Sequence, residues 1–108
     1  MNEQLPSPIA TFFSLSNGQE PLPLHPCFSA DAVVVDERRT YIGHDAISAW
    51  LDEARRLYRF QAEPLEQQEQ DGNVIVMARV SGTFPGSPAQ LRYVFHLNGD
   101  RIDRLEID

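Results

Sequence analysis

Asp36 closes a run of three valines, Val33-Val34-Val35, and Tyr93 stands between Leu91 and Phe95 on an alternating segment. A carboxyl at the end of an apolar strand loses hydration if it turns inward, and desolvation raises its pKa and makes it a stronger base. A buried tyrosine hydroxyl must find a partner, and a ligand oxygen is one such partner. Asp103 shares alternation with Leu105 and Ile107, which makes it a second candidate inward acid. Each has an ordinary alternative: an Asp at a hairpin end caps or solvates the turn, and a strand tyrosine often packs with its hydroxyl at the edge.

Other chemistries find little footing. His25, His44 and His96 fall in three different segments, with no histidine pair at helical spacing and no cysteine partner, so no metal site is expected. No G-x-S-x-G elbow occurs. The sequence Gly82-Thr83-Phe84-Pro85-Gly86-Ser87 opens no helix and lacks the lysine of a phosphate loop, and reads instead as a hairpin loop that overhangs a pocket mouth and gates entry. All nine basic residues are arginine, which removes Schiff-base chemistry. Cys27, set between Pro26 and Phe28, reads as a buried inert thiol rather than a nucleophile. No cofactor is expected.

The 108 residues carry a formal charge of −7. One domain is expected, burying roughly two-thirds of its unfolded surface. Affinity for nucleic acid rests on Lys and Arg neutralising phosphates, so nucleic acid and anionic membrane are poor partners for this chain. No segment approaches the ~20 apolar residues that span a bilayer, and the N-terminus lacks the charged start and long apolar run of a secretory signal. The expectation is a soluble, cytoplasmic protein.

Positioning the candidate residues requires a specific set of elements. Pro8 to Ser16 clusters Ile9, Phe12, Phe13 and Leu15 on one side of a short helix that Asn17-Gly18 stops. Pro21 to Phe28 is apolar but holds three prolines, which predicts one broken helical turn ending near Phe28-Ser29-Ala30-Asp31. Ala32 to Asp36 is a β-branched strand, turned by Glu37-Arg38-Arg39 into Thr40-Tyr41-Ile42. From Asp45, the residues Ile47, Trp50, Leu51, Ala54 and Tyr58 form one apolar helical stripe. Beyond it, two-fold alternation and the turns Asp71-Gly72-Asn73 and Asn98-Gly99-Asp100 predict an antiparallel meander.

Helices followed by a meander make an α+β domain, with the helices on one face of the sheet. That face is expected to carry Phe60, Val76, Val80, Phe84, Leu91, Tyr93, Phe95, Leu105 and Ile107. The opposite face mixes Met77, Val94 and Ile102 with Arg79, Arg92, His96, Arg104 and Glu106. Such a half-apolar surface suits a homodimer interface. A wetted sheet face is the alternative.

The order of segments also resembles a known superfamily. The stretches Thr11 to Gly18, Phe28 to Asp36, Tyr41-Ile42-Gly43, Ala46-Ile47 and Phe95 to Ile102 are similar to the nuclear transport factor 2-like pattern, which includes ketosteroid isomerases and SnoaL-like polyketide cyclases. The resemblance implies a cone of helices on a strongly curved, mostly antiparallel sheet with a ligand cavity inside. In ketosteroid isomerase an Asp base works with an oxyanion hole made of a Tyr and an Asp that its apolar setting keeps protonated. By resemblance Asp36 occupies the base position and Tyr93 that of the protonated Asp. Thr11 and Phe12 stand where the family has its helix-one tyrosine, so that donor is missing; such a donor typically supplies about 2.7 to 4 kcal/mol.

The expected occupant is a small apolar or carbonyl-containing molecule. It would meet Asp36 and Tyr93 as catalytic groups, Asp103 as a second acid, and a wall of Phe12, Tyr41, Trp50, Tyr58, Phe84 and Phe95. The chemistry implied is proton abstraction next to a carbonyl, as in isomerisation or aldol cyclisation. A non-catalytic binding or interaction module of the same fold is the alternative. Hydrolysis or dehydration by an Asp and His pair would require a histidine near Asp36.

Overall fold

Two helices lie on the inner face of one curved, unclosed six-stranded sheet in the computed structural model, which describes residues 5–18 and 27–108. Helix α1 spans Ser7–Ser16. Its prolines fall at or before the first turn, where no amide donor is needed, and its apolar residues Ile9, Phe12, Phe13 and Leu15 are all buried. Asn17 ends it and ties it to the sheet. The Asn17 side-chain oxygen accepts from the Ala62 N–H at 2.7 Å while its nitrogen donates to the Ala62 carbonyl at 3.0 Å, so the amide stands in for a missing strand neighbour.

Strands β1 (Phe28–Asp36) and β2 (Arg39–Ile42) form the first hairpin, and α2 (Gly43–Tyr58) follows at once. The strands β3 (Gln61–Gln70), β4 (Asn73–Ser81), β5 (Ala89–Asn98) and β6 (Arg101–Ile107) then run as the expected antiparallel meander. The sheet order is β2-β1-β6-β5-β4-β3, with β1 and β6 paired parallel. The last strand thus lies beside the first and joins hairpin to meander.

Three expectations need correction or restriction. Phe28-Ser29-Ala30-Asp31 is strand rather than helix end, because its backbone pairs with β6: Phe28 stands opposite Ile102, and the Ile102 N–H donates to the Cys27 carbonyl at 2.6 Å. The broken helical turn over 21–28 lies, up to residue 26, outside the described residues. Ile102, expected on the outer face, is fully buried. The cause is a bulge: His96 opposes Arg104, yet its neighbour Leu97 opposes Ile102, so Asp103 is an extra residue in β6. One extra residue reverses the facing of everything beyond it.

The core lies between the helices and the inner sheet face. Phe12 is its hub, with ring centroids 5.4 to 6.5 Å from Phe13, Phe28, Trp50, Tyr93 and Phe95. No helix among the described residues is long and apolar enough to cross a membrane.

Candidate functional site

Alternation along β1 decides where Asp36 points. Ala32 and Val34 are fully buried, and Asp36 shares their parity, so its side chain faces the helices. The turn after it is unusually tight. Glu37 and Arg38 both adopt left-handed backbone (φ 52° and 66°), as a two-residue hairpin turn demands. Neither is a glycine or asparagine, and left-handed backbone costs an ordinary residue roughly 1–2 kcal/mol. The strained turn sets the strand end, and hence the acid, in the lining of a cavity.

That cavity has a volume of about 350 Å³, at the lower end of the range for small-molecule pockets. Its walls are mainly apolar: Phe12 from α1, Trp50, Leu51 and Ala54 from α2, and Val80, Leu91 and Ile107 from the sheet. Tyr58, Phe60, Phe84 and Pro85 form the end contributed by the C-terminus of α2 and the β4–β5 loop. Polar groups are few. Ser16, Asp36, Glu37, Tyr58 and Tyr93 are the lining residues with side-chain oxygens.

Register places the acid and the phenol in one row. Asp36 on β1 and Tyr93 on β5 both stand opposite Ile107 on the intervening β6. With strands ~4.8 Å apart, the two backbones are separated by roughly 10 Å, which leaves room for a ligand between the side chains. The Tyr93 hydroxyl makes no hydrogen bond among the described residues. Burial and the Asp36 charge both push its pKa up, so the phenol stays protonated and available as a donor.

Asp36 has a neutral partner. The Trp50 indole Nε1–H donates to Asp36 Oδ2 at 3.0 Å. Burial raises the Asp36 pKa, and the hydrogen bonds from Trp50 and the Glu37 amide pull it back only in part. No guanidinium or imidazole is bonded to it among the described residues. The indole ring lies parallel to Phe12 with centroids 6.5 Å apart, and Tyr41 packs on it at a 33° tilt with centroids 5.9 Å apart.

Of the sequence-derived site residues, Asp36, Tyr93, Phe12, Trp50, Tyr58 and Phe84 line this one cavity. Tyr41, Phe95 and Asp103 do not. Tyr41 packs on the far side of Trp50 and supports the indole from behind. Phe95 is fully buried behind Phe12 and Phe13. Asp103, displaced by the bulge, faces the outer side, where it meets His96 Nδ1 at 2.6 Å. His44 is engaged with the Phe28 carbonyl, so neither described histidine reaches Asp36. The hydrolytic pairing therefore has no geometry behind it among the described residues.

Sequence reasoning missed Ser16, Glu37, Leu51, Ala54, Phe60, Val80, Pro85, Leu91 and Ile107 as lining residues. Leu51 and Ala54 share the helical stripe of Trp50, and Phe60, Val80, Leu91 and Ile107 share the apolar sheet face, so six of these nine carry a signal that could have found them. Pro85 belongs to the loop read as overhanging a pocket, while Ser16 and Glu37 carry no such signal. Cys27 is buried, and its thiol is pushed up to about 12 by desolvation, which suits an inert packing residue. Among the described residues no three His, Cys, Asp or Glu side chains gather as metal ligands.

The β4–β5 loop is tied down rather than loose. The Thr83 N–H and hydroxyl both donate to the Tyr58 carbonyl, at 2.7 and 3.0 Å. Gly82 is pressed so closely on this helix end that a Cβ would stand 2.5 Å from the same carbonyl oxygen. Tyr58 and Phe84 meet edge to face at 5.9 Å in the cavity lining.

No family model matches the sequence, and no curated protein matches it. Among solved structures, the chain is similar to a candidate polyketide cyclase from Sinorhizobium meliloti, with a TM-score of 0.90 and 38% identity over 96% of this chain and 95% of that one. It is also similar to a protein of ketosteroid isomerase-like fold from Catenulispora acidiphila, solved with trimethylamine: TM-score 0.81, 19% identity, 97% of this chain and 86% of that one. The chain belongs to the nuclear transport factor 2-like superfamily. A third structure, TerC co-crystallised with polyporic acid, shares the superfamily fold at a TM-score of 0.74 and 18% identity, over 94% of this chain and 87% of that one. Within the superfamily fold, the α1 side chain that packs edge to face on Tyr93, at 6.1 Å, is Phe12, which carries no hydroxyl.

Proposed function

We propose that this protein binds a small, largely apolar carbonyl compound and removes a proton from the carbon next to the carbonyl. The observation that carries the reading is the Asp36 carboxyl, desolvated in the lining of an apolar cavity and held by an uncharged donor. A cationic partner would stabilise the carboxylate and blunt it as a base. The indole orients it at smaller cost to basicity. With the carbonyl oxygen on the Tyr93 hydroxyl, the α-carbon lies toward Asp36. Asp36 takes the proton, the C–H electron pair becomes the enolate double bond, and the developing negative charge falls on the oxygen that Tyr93 donates to. Return of the proton at another carbon is isomerisation; attack of the enolate carbon on a second carbonyl is aldol cyclisation.

Phe12, Trp50, Tyr58 and Phe84 exclude water and strengthen both electrostatic interactions. The similarity to a candidate polyketide cyclase supports the chemistry at the level of class. The test is hydrogen–deuterium exchange next to the carbonyl in a panel of small cyclic ketones in D2O, followed by NMR. Catalysed exchange is expected from the parent protein and not from Asp36→Asn, which should retain ligand binding. Equal exchange by both proteins would remove Asp36 as the base.

A second reading, a non-catalytic ligand-binding module, is favoured by one observation: the α1 residue that packs on Tyr93 is Phe12, which has no hydroxyl to donate. Binding without exchange in any ketone would support it. We further propose homodimerisation through the outer sheet face, where half-buried Ile75, Met77 and Val94 alternate with exposed Arg79, Arg92 and His96. Sedimentation at micromolar concentration should give twice the monomer mass.

A further inference from the structure

A second hollow opens beside the cavity, and its chemistry is opposite. It is a groove of about 650 Å³ lined by Arg55 and Arg56 from the last turn of α2 and by Arg59 just past its end, with Asn17, Gly18 and Gln61 also in the lining. Ser16 and Phe60 line both hollows, so the two are adjacent there. The chain has 16 acidic residues against nine arginines, yet three of those nine line this one groove.

The guanidiniums are not consumed by the nearby acids. Asp52 lines the same groove one turn away, but neither Arg55 nor Arg59 forms an ion pair among the described residues. Arg56 has only a loose contact with Glu53, at 3.9 Å. Favourable placement near the negative end of the helix dipole explains basic residues here in general, but two further details exceed that explanation. Arg59 sits in left-handed backbone (φ 47°) at the helix end, a position that favours glycine. Arg55 rests on Gly18, where a Cβ would stand 2.5 Å from its Nη2, so the absence of a side chain there gives the guanidinium its seat.

We infer that the groove is an anion subsite of the same ligand site. The occupant has an apolar body that fills the cavity and a carboxylate that passes Ser16 and Phe60 to reach Arg55 and Arg59. Guanidinium and carboxylate match in planar, two-point geometry, and a local basic patch on an acidic protein is what draws an anionic ligand to this end of the cavity. The inference rests on the cavity as a ligand site and is independent of Asp36 acting as a base.

The test uses two probes with one skeleton, anilinonaphthalene sulfonate and the uncharged N-phenylnaphthylamine, titrated by fluorescence. At low salt the sulfonate should bind about tenfold more tightly than its uncharged counterpart, with the gap closing as salt screens the contact. The double variant Arg55→Gln/Arg59→Gln should lose that preference and keep the affinity for N-phenylnaphthylamine. Arg79→Gln, the same kind of charge removal on the exposed outer face, should alter neither. Equal affinities in the parent, a preference that survives the double variant, or no binding of either probe would overturn the inference. Because the readout is binding alone, failure of Asp36 as a base would leave these results unchanged.

Discussion

Asp36 and Asp103 sit on neighbouring strands of one sheet and face opposite ways. Asp36 ends an unbroken alternation and enters an apolar cavity, where its partner is an indole N–H. Asp103 is the extra residue of a bulge on the outer face, and its partner is a half-exposed imidazole. Both carboxylates are part-buried, but one faces apolar walls with an indole N–H as its partner and the other faces outward with an imidazole beside it. Position along a strand therefore does not by itself decide an acid's surroundings. What matters is which face it reaches and whether its partner carries charge.

The largest expected effect lies at the inner acid. Asp36→Asn should lower the rate of α-proton exchange by about 10⁴-fold, at the upper end for loss of a general base, with ligand affinity little changed. The same variant should melt higher than the parent at neutral pH. A raised folded-state pKa means the native protein holds its proton more tightly than the unfolded chain, so stability falls as pH rises above the ordinary value of 3.8. The gap between variant and parent should close as pH drops below that value. A variant that melts lower at neutral pH would mean the carboxylate is not desolvated.

Tyr93→Phe comes next. Removal of one preorganised donor should cost about 10²-fold in kcat with little change in KM. An effect confined to KM would make the hydroxyl a binding contact only. Trp50→Phe keeps a ring between Phe12 and Tyr41 but deletes the N–H that lowers the Asp36 pKa. The acidic limb of the pH–rate profile should then move to higher pH, and an unmoved limb would show that the indole does not tune the acid. The smallest effect belongs to the outer acid: Asp103→Asn should leave exchange unchanged, and a large loss there would dissolve the contrast between the two faces.

Much of this arrangement can be read from the residues. The stripe Ile47, Trp50, Leu51, Ala54 and Tyr58 specifies α2, and the alternating segments with their Asp-Gly and Asn-Gly turns specify the meander. The direction of Asp36 is not decided by the residues alone, because its parity with Ala32 and Val34 points inward only once those two are seen to be buried. Nothing local announces the bulge at Asp103, because an extra residue in a strand is visible only once its neighbours are paired. The Trp50–Asp36 bond is equally hidden, since it depends on how far α2 advances before crossing β1. The parallel pairing of β1 with β6 is a third such case, a contact between distant parts of the chain that makes strand of Phe28 to Asp31.

Carbon-13 NMR titration of the Asp36 side-chain carboxyl addresses the inner acid without needing a substrate. Its midpoint should lie above the ordinary 3.8 in the parent and rise further in Trp50→Phe. A midpoint at or below 3.8 in the parent would contradict a desolvated base in an apolar cavity, whatever activity the protein displays.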